Sequence, residues 1–385
     1  MGLTNLGARA STTARGADED EGWRGMEVVF GPEIFGQRFG GISRYYLELH
    51  RRLPALGVTS TIVAGAHQNA YLHAAGRVRG VLVPSRLQRE RLRATRDRTN
   101  DLLARAYLRT RPASAIYHQT YYQGSAGGRR RGPVTITAYD LVHAKLPEHF
   151  PADDQTVAQQ RRAFARADLI LSISHTTKAD LVEVLGINDA KIVVTHLGVS
   201  PPPAVPTAES GVDAPYLLYV GQRYGYKNWD RFVRAVAASG LADDLLVVCA
   251  GAELTATEVA LVADLGMSRR VVRVAADDAR LDALYREAVA FVYPSLYEGF
   301  GLPPLEAMAR GCPVVASDTG SVPEVLGDAA VYADPCDVDS LAAALVEATR
   351  PERRAELGRV GREAAAAYTW ERTAEATVVA YRSLG

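Results

Sequence analysis

Thirteen short apolar runs, rich in β-branched residues, alternate with amphipathic stretches along this chain, and that alternation restricts its possible folds more than any other feature. In the first half they are MEVVFG, TSTIVAG, GVLVP, AIYHQ, VTITAYD, LILSIS and KIVVTHLG; in the second, YLLYVG, DLLVVCAG, RVVRVA, AFVYPS, PVVAS and AAVYAD. Runs apolar on both faces and separated by helix-length segments read as strands of parallel sheets covered by helices. Between the halves, residues 201–215 (PPPAVPTAESGVDAP) are proline-rich and poor in apolar side chains, the composition of a linker. The expectation is an α/β chain of two doubly wound, Rossmann-like domains facing each other across a cleft. A disordered extension spans 1–25, with Met26 read as the functional start. The first domain spans 26–200, the linker 201–215 and the second domain 216–370, and a final helix in 371–385 packs back on the first domain. Ligands of such sheets bind outside the carboxyl ends of the strands.

Composition narrows the function classes. An apolar fraction of 48% and a charged fraction of 23% fit a soluble globular protein with a large core. Cys249, Cys312 and Cys336 have no paired spacing, which argues against a disulfide framework and a zinc site and fits a reducing cytoplasm. No apolar run approaches the ~20 residues needed to span a bilayer. The net charge of zero hides an asymmetry: residues 1–200 carry 27 Lys+Arg against 18 Asp+Glu, and the remainder 17 against 26.

The segment YPSLYEGFGLPPLEAMARG, residues 293–311, combines a strand end, a glycine-rich turn and a helix start. Pro303 and Pro304 suit a first helical turn, and Gly311 suits its end. Gly301 and Leu302 then offer backbone amides at a helix N-terminus, an anion site, and Gly299 and Gly301 allow a phosphate close to the main chain. Glu298 and Glu306 flank this turn. A carboxylate repels a diphosphate but accepts two charge-assisted hydrogen bonds from vicinal hydroxyls. The pair therefore reads as straddling an anion, one grasping a sugar and the other a ribose. Without the Gly-Phe-Gly-Leu-Pro-Pro insert, the plainer reading would be a helix-dipole partner and a solvated side chain.

Two further stretches lie at strand ends. In LLYVGQRYGYKNWDRF, Arg223 and Lys227 occupy a glycine-containing loop before a helix, where two cations suit a leaving diphosphate. In FGPEIFGQRFGGISRYYLEL, Gly40 and Gly41 precede a helix that opens onto the cleft, without the G-x-G-x-x-G spacing of a dinucleotide site.

Together, YEGFGLPPLEAMARGCPVVASDTGSVPEV, YVGQRYGYKN and GGISRY resemble the retaining nucleotide-sugar glycosyltransferases of family 4 with the GT-B fold, over residues 26–384. The resemblance implies that Arg223 and Lys227 neutralise the donor diphosphate and that Glu298 holds hydroxyls of the transferred sugar. It also implies that Gly299, Phe300, Gly301 and Leu302 line the sugar and diphosphate site, that Glu306 binds the ribose, and that Gly40 and Gly41 close over the diphosphate. No metal and no cofactor are implied. One position departs from the family, where many members carry histidine before an aspartate. Here Tyr139 precedes Asp140, as in a subgroup resembling mannosyltransferases. His118 and His143 are the nearby candidates for the sugar-facing role, and each reads equally as a structural loop residue.

The implied reaction moves a hexose, mannose favoured, from a nucleoside diphosphate sugar (GDP-mannose or a UDP-sugar) to a hydroxyl of a glycan or lipid-linked acceptor, with retained anomeric configuration. The acceptor falls to the first half, whose residues 85–112 and 127–132 are arginine-rich. Leu87, Leu92, Leu102, Leu103, Ala106 and Tyr107 would form an apolar helix stripe there. That basic surface reads either as a solvated face or as a peripheral dock on anionic membrane. Nucleic acid is excluded as a partner, since no binding module is recognisable. The alternatives are a nucleotide-sugar epimerase or sugar phosphorylase of the same fold, and a non-catalytic sugar-nucleotide-binding protein.

Overall fold

The computed structural model of the protein describes residues 25–83, 93–124 and 132–385. The extension through residue 24, Leu87, Leu92 and the glycine–arginine run at 127–131 lie outside the described residues.

Two fully parallel sheets form. The first holds β1 (Glu27–Phe30), β2 (Thr59–His67), β3 (Val78–Leu82), β4 (Ile116–Gln119), β5 (Val134–Ala138), β6 (Leu169–Ser172) and β7 (Ile192–Val194) in the order β3-β2-β1-β4-β5-β6-β7. The second holds β8 (Tyr216–Val220), β9 (Leu246–Ala250), β10 (Val271–Val274), β11 (Ala290–Tyr293), β12 (Val314–Ser317) and β13 (Val331–Ala333) in the order β10-β9-β8-β11-β12-β13. Each of the thirteen apolar runs supplies one strand, because a strand buried on both faces must be apolar at successive positions. β5, β6, β11 and β12 are buried at every residue. In each sheet the strand order reverses once, between β1 and β4 and between β8 and β11. Those reversals part the flanking loops and open a crevice at the carboxyl ends.

Residues 195–215 contain no helix or strand. The last helix, Trp370–Arg382, lies against the first sheet's layer: Thr373 Oγ1 donates to the His196 carbonyl at 2.8 Å, and Tyr381 OH meets His118 Nδ1 at 2.6 Å. At Gly198 an added Cβ would fall 2.3 Å from the Trp370 backbone nitrogen, so this crossing requires glycine. Among the described residues no helix is long and apolar enough to cross a membrane.

The Arg93–Arg109 helix corrects the expected stripe. It buries Asn100, Ala104 and Leu108, while Leu102 and Leu103 are 64% and 51% exposed. Positions four apart share a helix face, and Leu102 and Leu103 fall on another. A polar residue takes the inner face because β2 shifts register between Val63 and Gly65. Asn100 satisfies the backbone there, accepting from Ala66 N at 2.8 Å and donating to Ala66 O at 3.1 Å.

Candidate active site

The second sheet's reversal places the loops after β8 and β11 side by side. After β8 the chain passes Gly221 (φ 115°), makes a short turn at Gly225–Lys227 and enters the Trp229–Ser239 helix through Asn228, left-handed at φ 61°. Asn228 ties three loops together, donating to Pro294 O at 2.9 Å and to Pro335 O at 2.7 Å. The neighbouring loops are also joined by Leu296 N donating to Tyr226 O at 2.8 Å.

This lattice brings Lys227 to Glu298. The Lys227 ammonium donates to Glu298 Oε1 at 2.6 Å, and both side chains are largely buried. Burial alone would lower the lysine pKa, but Glu298 and Tyr226 outweigh it and raise it overall. Asp140, across the crevice after β5, belongs to the same field. Burial raises its carboxyl pKa and Glu298 pushes it further, against His143 and Lys227.

The Glu298 loop is held from both sides. Ser321 donates to the Glu298 carbonyl from its backbone nitrogen at 3.2 Å and its hydroxyl at 2.9 Å. From the first half, Thr177 Oγ1 donates to the Gly299 carbonyl at 3.3 Å, and Asp180, which also receives Lys145 Nζ at 2.8 Å, accepts from Tyr297 OH of the loop. Gly299 abuts the Tyr139–Asp140 backbone so closely that a Cβ would lie 1.8 Å from the Tyr139 carbonyl oxygen. Phe300 is buried, and the Leu302–Ala309 helix begins at Gly301 (φ 103°) with no side-chain cap. Tyr293 lies beside both this helix start and Lys227, so the amide end and the Lys227–Glu298 pair share one neighbourhood.

Glu306 lies one turn further along that helix. Arg44, from the Gly41–Arg52 helix of the first half, reaches across to donate to Glu306 Oε1 at 3.0 Å and to Ser200 Oγ at 3.0 Å. Burial raises the Glu306 pKa, opposed by Arg44 and Arg310. Gly40 caps the Gly41–Arg52 helix, and an added Cβ at Gly41 would meet nothing within 4 Å, so this helix end opens onto free space.

The structure separates other expected site residues from this group. Arg223 is turned to the loop after β9: it donates to Glu258 Oε1 at 2.9 Å, Ala252 O at 2.9 Å and Glu253 O at 2.7 Å, beside the Trp229 ring. Its Nη1 is buried without a partner. His118 lies in the core rather than the crevice, bonded to Tyr381 OH and, at 2.9 Å, to Thr137 Oγ1. Burial lowers its pKa to about 3, and both ring nitrogens are occupied, so in this structure it braces the last helix. The Tyr139 ring is buried likewise, its hydroxyl donating to Tyr46 OH at 2.7 Å; only its backbone faces Gly299. His143 stacks on Phe150 and meets Asp154 Oδ2 at 2.9 Å, close to Tyr226 through Phe150.

Sequence reasoning missed Arg44, although it sits inside GGISRY. A cation in a helix's first turns opposes the dipole, and that conflict was a readable signal. It also missed Glu324, which accepts across the cleft from His175 N at 2.8 Å, Thr176 N at 2.9 Å and Thr176 Oγ1 at 3.0 Å, and meets His196 Nε2 at 3.0 Å. Burial pushes its carboxyl up, but these bonds prevail and hold it at about 2. The ligand atoms of His175, His196 and Glu324 lie within 4.8 Å of one another, a grouping no sequence spacing could reveal.

The reversal in the first sheet opens a cavity of about 580 Å³, lined by residues after β1, β2 and β4 that include Glu33, Gln37, Gln68 and Gln123, together with Arg96 and Tyr121. Glu33 accepts from Thr120 Oγ1 at 2.8 Å and Thr120 N at 3.0 Å, and burial raises its carboxyl to about 7 against the Tyr117 and Thr120 hydrogen bonds.

Two family profiles match the chain: Glycosyltransferase Family 4 over residues 39–201 and Glycosyl transferases group 1 over residues 207–364. The chain is 28% identical to the O-antigen chain mannosyltransferase B of Escherichia coli, over 93% of this chain and 100% of that protein. It is 31% identical to the alpha-maltose-1-phosphate synthase of Mycolicibacterium smegmatis, over 71% of this chain and 79% of that protein. The crystal structure of Anabaena Alr3699/HepE in complex with UDP and glucose superposes with a TM-score of 0.70 at 16% identity, covering 93% of this chain and 99% of that one, a likeness of fold.

Proposed function

This chain belongs to the family-4 glycosyltransferases of the GT-B fold, and on that premise we propose that it moves a hexose from a nucleoside diphosphate sugar to an acceptor hydroxyl with retained configuration. The carrying observation is the Lys227–Glu298 pair at the β8/β11 reversal, beside the uncapped helix end at Gly301. As proposed, donor sugar hydroxyls replace Lys227 on Glu298, because a carboxylate accepts from hydroxyls as it does from an ammonium. The freed ammonium and the helix amides then face the departing diphosphate, where charge grows most in the transition state. Glu306 takes the ribose hydroxyls. Arg223 joins only by exchanging Glu258 for a phosphate. The full-length likeness to the Escherichia coli mannosyltransferase supports mannose as the sugar, and so GDP-mannose ahead of a UDP-sugar as donor.

The acceptor site of this proposal is the first-sheet cavity, whose amide, carboxyl and guanidinium groups suit a hydroxyl-rich glycan. A lipid-linked acceptor would draw the basic, leucine-bearing face of the Arg93–Arg109 helix to anionic lipid.

The test incubates purified protein with GDP-mannose, UDP-glucose and UDP-galactose, with and without glycan acceptors, and follows the anomeric signals by NMR. Transfer with a retained α-signal is expected, alongside a rise in Tm with the matching nucleoside diphosphate. No donor turnover and no Tm shift with any nucleotide would overturn the proposal; donor isomerised without an acceptor would make the protein an epimerase.

A further inference from the structure

We infer that Arg44 is the positioning residue of the ribose-binding carboxylate: from the opposite wall of the cleft, its guanidinium fixes Glu306 for the vicinal hydroxyls of a nucleoside diphosphate. The inference rests on the ribose role proposed for Glu306.

Arg44 is ill placed for its own helix, since the first turns of Gly41–Arg52 carry the positive end of the dipole. Its side chain leaves that helix and divides its two terminal nitrogens between Glu306 Oε1 and Ser200 Oγ, each at 3.0 Å. Ser200 is itself fixed, receiving Trp370 Nε1 on its hydroxyl at 3.3 Å and Arg310 Nη1 on its carbonyl at 3.2 Å. The planar guanidinium is thus held at one end by the chain crossing and presents the other to Glu306.

A carboxylate has about four lone-pair sites. Arg44 occupies one on Oε1, and Tyr285 OH approaches Oε2 only at 3.5 Å, the limit of a hydrogen bond. Among the described residues, Oε2 beyond that long bond and the second lone pair of Oε1 take no other hydrogen bond, which leaves acceptor sites on both oxygens for two adjacent ribose hydroxyls. Glu306 is also faced by Arg310 of its own helix, by Asp278 and Tyr285 of the Asp278–Glu287 helix, and by Tyr71 from the first half. Arg310 is committed to Asp282 Oδ1 at 2.8 Å and to backbone carbonyls, so among the described residues Arg44 is the cation bonded to the Glu306 carboxylate. Because Arg44 and Glu306 come from opposite sheets, the oriented carboxylate exists only when the cleft is closed.

The test measures calorimetric binding of GDP and UDP, and of their 2′,3′-dideoxy analogues, to the wild-type chain, Arg44→Ala, Arg44→Lys and Glu306→Gln. Arg44→Ala should weaken the better ribonucleotide about 10- to 100-fold, the loss of a hydrogen bond to a charged group. The dideoxy analogue should bind wild type and Arg44→Ala alike. Arg44→Lys, which keeps the charge but cannot bridge Glu306 and Ser200, should recover part of the loss and supplies the answer if the alanine variant does not fold. Equal weakening of ribo and dideoxy ligands would overturn the inference, as would unchanged binding of the ribonucleotide. If Glu306→Gln retains the full preference for ribo over dideoxy ligand, the ribose role of Glu306 fails, an outcome separate from a failure of Arg44.

Discussion

Replacing Gly299 with alanine tests whether the two sheets must meet for the reaction to occur. The added methyl would lie 1.8 Å from the Tyr139 carbonyl oxygen, 2.8 Å from its carbon and 2.9 Å from Asp140 Cβ, whereas real Cβ contacts essentially never fall below 3.0 Å. Backbone lies on the other side, so no rotamer change relieves the clash. The Glu298–Gly299 segment must retreat from the first sheet by at least about 1.2 Å, and a displacement of ~1 Å at reacting groups costs on the order of 100-fold in rate. The position is buried and the retreat strains the Thr177–Gly299 bond, so stability should also fall, by about 1–3 kcal/mol. Steady-state kinetics at a temperature well below the lowered thermal midpoint should show kcat/KM down on the order of 100-fold. An alanine variant with wild-type kcat/KM would refute the reasoning, because the cleft would then work without the Gly299–Tyr139 approach.

Lys227→Ala should raise the barrier to transfer by about 2–4 kcal/mol, the scale of a lost oxyanion donor, read as kcat/KM; because it leaves the largely buried Glu298 without its cation, Tm should fall as well. Arg223→Ala should act on stability without lowering kcat/KM: it strands Glu258 and two carbonyls, so the unfolding free energy should drop by about 3–5 kcal/mol, as for a broken buried ion pair. A loss confined to kcat/KM would instead show Arg223 reaching the phosphates. Tyr381→Phe leaves His118 Nδ1 unpaired in the core and should cost about 1–3 kcal/mol in denaturant unfolding without changing donor KM. Glu33 holds its proton in the fold up to about pH 7 but releases it near 4.5 when unfolded, so the native state binds more protons between those values and stability falls as pH rises through that window. Glu33→Gln should flatten that slope, measured as denaturant midpoints at pH 4.5, 5.5 and 7.

Both sheets were legible because strand identity is a local property: thirteen apolar runs became thirteen strands in the expected halves. The Gly301–Leu302 helix start was legible for the same reason, since Gly and Pro dictate backbone geometry where they stand. The inner face of the Arg93–Arg109 helix was not legible. Its occupant, Asn100, answers to a register shift in a strand 34 residues away, and hydrophobicity alone pointed to the wrong leucines. His118 and Tyr139 were site candidates because the resemblance places a sugar-facing histidine at or near Tyr139, yet Tyr381 and Tyr46 draw their side chains into the core.

By itself, then, the sequence determined the elements, the two parallel layers and the turns where anions can approach, since each is encoded within a few consecutive residues. Tertiary structure alone decided which charge meets which. Lys227 went to Glu298 and Arg223 to Glu258, while Arg44 crossed 262 positions to reach Glu306. Such pairings are set by how two separately formed sheets dock, and docking leaves no periodic trace along the chain.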